Sequence, residues 1–233
     1  MPALRGWWVR TAHRSLRKQP VSLMTPPLTT RWPVQSIPSG MVSPADASSK
    51  PPSSCWSADA CFSSCGRYRW LLHRALVEPL PTEDPRTLIF VGLNPSRAGA
   101  HRDDPTLRRL IAFGTRWRYH RLVVVNLFAR ISPSPGALQR CSDPVGDRTD
   151  AVLQHWMEDW ADHPSWDLWL GWGTRGALFQ RDQAMLAKLE PALQSRRAGA
   201  WPLTLGSTRS GQPRHPLYVP GDRVPTPWAC TVR

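Results

Sequence analysis

Four apolar runs recur between Thr87 and Leu205, and each of the first three is followed by a polar turn and a segment with helical spacing. The run Thr87–Leu93 (TLIFVGL) predicts a strand, and Pro105–Arg116 predicts a helix with Asp104 as its cap. Asp104 can accept hydrogen bonds from free backbone N–H groups there, and Pro105 suits a first helical turn, where no N–H is needed. Arg121–Asn126 (RLVVVN) predicts the second strand, followed after a Pro-rich loop by an amphipathic helix over Val145–Ala161. Asp167–Gly171 (DLWLG) predicts the third strand, with a helix over Arg175–Leu193. Trp201–Leu205 predicts the fourth, running into a Gly/Ser/Arg loop that ends in Arg214-His215-Pro216-Leu217-Tyr218. LIFV and VVV are apolar without alternation, as strands buried on both faces should be. Strands alternating with helices predict an α/β fold: a three-layer sandwich around a central four-stranded parallel sheet. Upstream, Arg67–Leu72 alternates loosely and fits an edge strand or a short helix.

Composition sets the boundaries. Residues 1–56 carry seven Lys/Arg and one acid, Asp46, and from Gln19 onward Pro, Ser and Thr recur without period. Such a segment buries too little apolar surface to offset its ordering entropy, so it is expected to be disordered. It reads as a basic extension, either an arm that touches nucleic acid or the product of a mis-called start. Residues 57–222 are expected to form a single α/β domain and 223–233 a tail. Trp7-Trp8-Val9 is too short for the apolar core of a secretory signal, and no apolar run approaches the roughly 20 residues of a membrane span. The five cysteines include no C-x-x-C pair and lack nearby His ligands, which disfavours zinc and fits free thiols in a reducing cytoplasm. The net charge of +13, almost all of it arginine, suits a polyanionic partner such as nucleic acid, although a GC-rich genome inflates Arg and Pro together.

The polar residues at the strand ends carry the chemistry. The first strand ends in Gly92-Leu93-Asn94-Pro95-Ser96, the second in Asn126, the third in Trp172-Gly173, and the fourth feeds His215. In a right-handed parallel sheet these ends share one edge, where open α/β sheets bind ligands. Two amides and an imidazole would then converge on one cleft. An Asn side chain can bond two neighbouring positions of a base edge, and neutral His can stabilise negative charge growing on a carbonyl oxygen.

These motifs, in this order, resemble those of the uracil-DNA glycosylase superfamily. Gly92-Leu93-Asn94-Pro95 is similar to its first-strand turn, Val123–Asn126 to its strand ending in a base-reading Asn, Leu170–Gly173 to its Leu-Trp-Gly motif, and His215-Pro216 to the opening of its last motif. Residues 63–220 more closely resemble a bacterial and phage family catalogued as domain of unknown function 1643, through RYRWLL, GLNPS, DDPTLRR, VVVNLF, DPVGDRTD, WGTRG and GQPRHPLY. The superfamily resemblance implies a DNA N-glycosylase-type hydrolase that needs no cofactor. In it Asn94 would position the attacking water, Asn126 would read a flipped base, and His215 would stabilise the departing base. Gly92, Pro95, Ser96, Trp172, Arg214 and Tyr218 would complete the substrate site. The chain departs from the uracil-selective pattern in having Ser96 where those members carry Tyr, and Leu217-Tyr218 where they carry a longer wedge segment.

Other readings stay open. Asp103-Asp104 is foremost a helix start, yet two carboxylates near Asn94 could hold a divalent metal or act as a general base. That predicts a metal-dependent enzyme on free or modified nucleotides. A third reading is a non-catalytic nucleic-acid-binding module. Trp156 and Trp160, four apart on one helix, are expected in the core, and Arg209, Ser210 and Arg214 form a candidate phosphate contact.

Overall fold

The computed structural model describes residues 59–96, 102–132, 134–196 and 201–228. The expected extension 1–56 lies outside them. One mixed sheet of seven strands organises the described chain: β1 Ala60–Phe62, β2 Arg69–Ala75, β3 Thr87–Gly92, β4 Arg121–Asn126, β5 Trp166–Leu170, β6 Leu203–Thr204 and β7 Thr226–Pro227. Their spatial order is β1-β2-β4-β3-β5-β6-β7. The four neighbours β4, β3, β5 and β6 are parallel, and antiparallel pairs β1–β2, β2–β4 and β6–β7 extend the sheet on both sides.

The uniform apolar runs become the centre of the sheet. Every residue of β3 is buried, as are five of the six in β4. Period-two alternation divides these side chains between two cores. Ile89, Val91, Val123, Val125, Leu168 and Leu170 face one layer, packed by Trp156, Met157, Trp160, Met185 and Leu189. Those residues come from helices α2, Thr149–Asp162, and α3, Arg181–Ser195. Leu88, Phe90, Leu122, Val124 and Trp169 face the other, packed by Leu107, Leu110 and Phe113 of α1, Pro105–Arg116. Trp156 and Trp160 are core residues, as their four-residue spacing predicts. Trp169 centres the second core, its ring 4.9 Å from Phe90, 5.5 Å from Phe113 and 5.1 Å from Trp117.

Several expectations are corrected. The sheet has seven strands and is mixed, because short segments flanking the parallel strands find open edges to pair with. The segment at Arg67–Leu72 is a strand, but β1 covers its outer side, so it is internal. Residues beyond 222, expected as a tail, supply β7, and the Trp228 N–H donates to the Pro202 carbonyl at 2.7 Å. The fourth predicted strand shrinks to two residues; Pro202 offers no N–H to the ladder and Trp201 is 53% exposed. The second helix starts four residues late because Gly146 has φ +82°, a conformation no helix admits, inside a turn whose Asp143 carboxylate accepts the Gly146 N–H at 2.8 Å. Left-handed Phe179 and Gln180 split the third predicted helix into a 3-10 segment, Thr174–Gln180, and α3. Cys65 and Cys141 are free thiols, whereas buried Cys61 is disulfide-bonded.

Trp169→Ala should cost about 3–5 kcal/mol, because the fully buried indole fills the junction of three rings and its removal leaves a cavity among them. Urea unfolding followed by circular dichroism checks this; a loss under 1 kcal/mol would mean that α1 packs differently on the sheet.

Candidate functional site

The carboxyl ends of β3 and β4 lie side by side, Gly92 opposite Asn126 in parallel register. Beyond them the chain turns through Asn94-Pro95-Ser96, and the first turn of α1 returns to the same edge. Together with the segment entering Pro216–Tyr218, these ends enclose a cleft of about 380 Å³, counted with its open mouth. Its polar lining is Arg69, Asn94, Ser96, Asp104, Thr106, Asn126 and His215; Leu72, Phe90, Leu93, Leu107, Leu110 and Val124 form its apolar walls, with Gly92 at the strand end. Gly92 is required by close approach: a Cβ there would stand 2.8 Å from the Asn126 Oδ1 and 2.9 Å from the Phe90 ring.

Asn126 is only 6% exposed, and its Nδ2 has no hydrogen-bond partner. A buried amide without a partner is costly, and in a cleft it marks a position that a ligand can satisfy. Asn94 is differently placed. Its Nδ2 donates to the carbonyls of Pro95 at 2.9 Å and Ser132 at 3.0 Å, so the amide nitrogen ties the turn to the loop after β4. Pro95 completes that tie by accepting the Ser132 N–H at 3.0 Å, and it does not line the cleft.

Asp104 caps α1 as predicted, its Oδ1 accepting the Leu107 N–H at 2.7 Å, while Oδ2 accepts the Ser96 hydroxyl proton. Both contacts fix the carboxylate at the cleft wall. His215 caps its own 3-10 turn: its Nδ1 accepts the Leu217 N–H at 3.3 Å, so the proton of the neutral ring belongs on Nε2. Burial pushes the imidazole down to about 4 against a smaller opposing pull from Asp104, so the ring is neutral at physiological pH. Burial likewise lowers Arg69 to about 10, still a cation at neutral pH, with Asp104 again acting in the opposite sense.

The remaining sequence candidates fall elsewhere. Asp103 pairs with Arg74 at 2.8 Å and does not line the cleft. Trp172 is 1% exposed in the core; its Nε1 donates to the Gln212 Oε1 at 2.6 Å and its ring meets Trp228 edge-on. Its place after the third strand suggested a cleft residue, but tertiary packing turns it inward. Arg214 is exposed and donates to the Ser207 carbonyl at 3.0 Å. Tyr218 is 78% exposed, its ring 5.7 Å from that of His215, outside the lining. Among the described residues no group of three or more His, Cys, Asp or Glu could hold a metal ion.

Residues 69–217 match the model of a family described as a protein of unknown function, DUF1643. The chain belongs to that family. No curated protein and no solved structure matches it. The matched span of this DUF1643 protein runs from Arg69 to Leu217, and so includes every residue of the cleft lining. Arg69 begins β2, so reasoning from strand ends does not reach it; the signal in the sequence is an arginine leading directly into the apolar run Trp70-Leu71-Leu72. Among the described residues no helix is long and apolar enough to cross a membrane.

The His215 environment has a measurable signature in this DUF1643 member. Its folded value near 4 lies below the ordinary 6.5, so between those values the unfolded chain binds the extra proton. Stability should therefore hold above pH 6.5 and be lost as pH falls from 6.5 to about 4, with His73, also pushed down to about 4 by burial, adding in the same direction. Imidazole NMR should show His215 titrating near 4, and lower still in Asp104→Asn. A midpoint at or above 6 would contradict this account of the site.

Proposed function

We propose that the cleft binds a nucleobase swung out of a nucleic-acid strand and that the protein hydrolyses its N-glycosidic bond. The observation that carries this reading is Asn126: a buried amide with an unpartnered Nδ2 lines the same cleft as a neutral His215. The amide offers a base edge a donor and an acceptor. His215 offers Nε2–H to a carbonyl oxygen as negative charge grows on the departing base. The likeness of the strand-end motifs to those of uracil-DNA glycosylases supports the same assignment, as does the parallel neighbourhood β4-β3-β5-β6. A net charge of +13 favours a polyanionic partner.

In this mechanism the bond from the anomeric carbon to the base nitrogen breaks first, and its electron pair leaves with the base. Water then adds to the sugar and releases its proton to solvent, and the base takes up a proton. Asn94 retains Oδ1 to orient that water, since its Nδ2 is spent on backbone carbonyls. An amide is a weak base, so the step relies on a dissociative transition state and a well-stabilised leaving group.

The metal-dependent alternative is weakened, because Asp103 pairs with Arg74 outside the lining and leaves Asp104 as the sole carboxylate among the described lining residues. The non-catalytic binding module draws support from the structural duty of Asn94. Oligonucleotides carrying uracil, hypoxanthine, hydroxymethyluracil or guanine at a labelled position separate the readings. We expect abasic-site formation by the wild type, reduced about 10²–10³-fold in His215→Ala and abolished in Asn126→Ala. Salt-sensitive binding without abasic sites would replace hydrolysis with the binding module.

A further inference from the structure

Asp104 has no counterpart in the role that a base-reading amide and a neutral imidazole already fill. We propose that it makes the cleft selective for a guanine-type base, an inference that rests on the base-binding reading above. Two sets of polar groups in the cleft bear on the choice of base. Asn126 Nδ2, unpartnered on a side chain 6% exposed, and the Nε2–H of neutral His215 are donors. Among the described residues Asp104 is the one carboxylate in the lining, and a carboxylate only accepts. Ser96 and the Leu107 N–H each occupy one lone pair of its two oxygens and hold the group in place, leaving an acceptor direction on each oxygen.

A complementary base carries two acceptors and two adjacent donors. Guanine does: O6 and N7 accept, and N1–H and the N2 amino group donate side by side to the two oxygens of a carboxylate. Uracil and hypoxanthine have no exocyclic amino group, and adenine lacks the ring N–H beside its amino group. Each would leave part of the Asp104 carboxylate facing the base without a donor, and an acceptor desolvated without a partner is penalised. Arg69 lines the same cleft as a buried cation and offsets the negative charge of Asp104, so a neutral base can enter without bringing a counter-ion.

The test is titration of the full-length protein with deoxyguanosine, deoxyinosine, deoxyadenosine and deoxyuridine, observed by saturation-transfer NMR. Deoxyguanosine should bind most tightly, and deoxyinosine, which differs only by the amino group, about tenfold more weakly, as expected for one hydrogen bond to a charged acceptor. Asp104→Asn keeps an N-cap oxygen and should bring the two nucleosides to similar affinity. Should that variant fail to fold, the wild-type ratio of deoxyguanosine to deoxyinosine decides alone. Equal binding of these two, or tighter binding of deoxyuridine, overturns the guanine assignment while leaving base binding intact. If none of the four nucleosides binds, the guanine assignment falls as well, and the oligonucleotide assay then decides whether the base-binding reading falls with it.

Discussion

Strand β3 is paired in parallel on both sides and buried along its whole length, and the rest of the molecule follows from that constraint. A strand with no solvent face is apolar through its middle, here Leu88–Val91, so the polar groups open to a ligand appear where it leaves the sheet. That point is Gly92, opposite Asn126. The glycine is a consequence of the same pairing, because two side chains already crowd the place its Cβ would take. Parallel register thus sets the buried amide at the rim, and the turn beyond it must fold back within reach. The Asn94 amide holds that turn to the Ser132 carbonyl across the two strand ends.

The cleft is shaped by burial more than by formal charge. His215 stays neutral because desolvation outweighs the pull of Asp104, and Arg69 stays charged although burial lowers it. The result is a cleft whose Asp104 is held by Ser96 and the Leu107 N–H, whose Asn94 is tied to two backbone carbonyls and whose His215 accepts the Leu217 N–H. Such preorganisation suits recognition of a flat, polar-edged molecule, because little has to be reorganised when it binds. The same economy explains Asp103: its ion pair with Arg74 ties the approach to α1 onto β2, a structural duty separate from that of its neighbour.

Local rules in the sequence determined much of this. The apolar runs marked the parallel strands, Asp104-Pro105 marked the start of α1 to the residue, and the strand ends pointed to Asn94, Asn126 and His215, all of which line one cleft. These signals are short-range, since burial on both faces, a missing N–H and a capping oxygen each leave a mark within a few residues. Tertiary structure decided the rest. Whether Trp172 faced the cleft or the core depended on Trp228 and Gln212, far along the chain. The separate fates of Asp103 and Asp104 depended on Arg74 in a neighbouring strand, and Arg69 joined the site only because β2 pairs with β4. The neutrality of His215 came from desolvation, a property of everything packed around the ring. A sequence fixes which groups are available at the end of a strand; only the packed neighbours fix where each one points and what charge it carries.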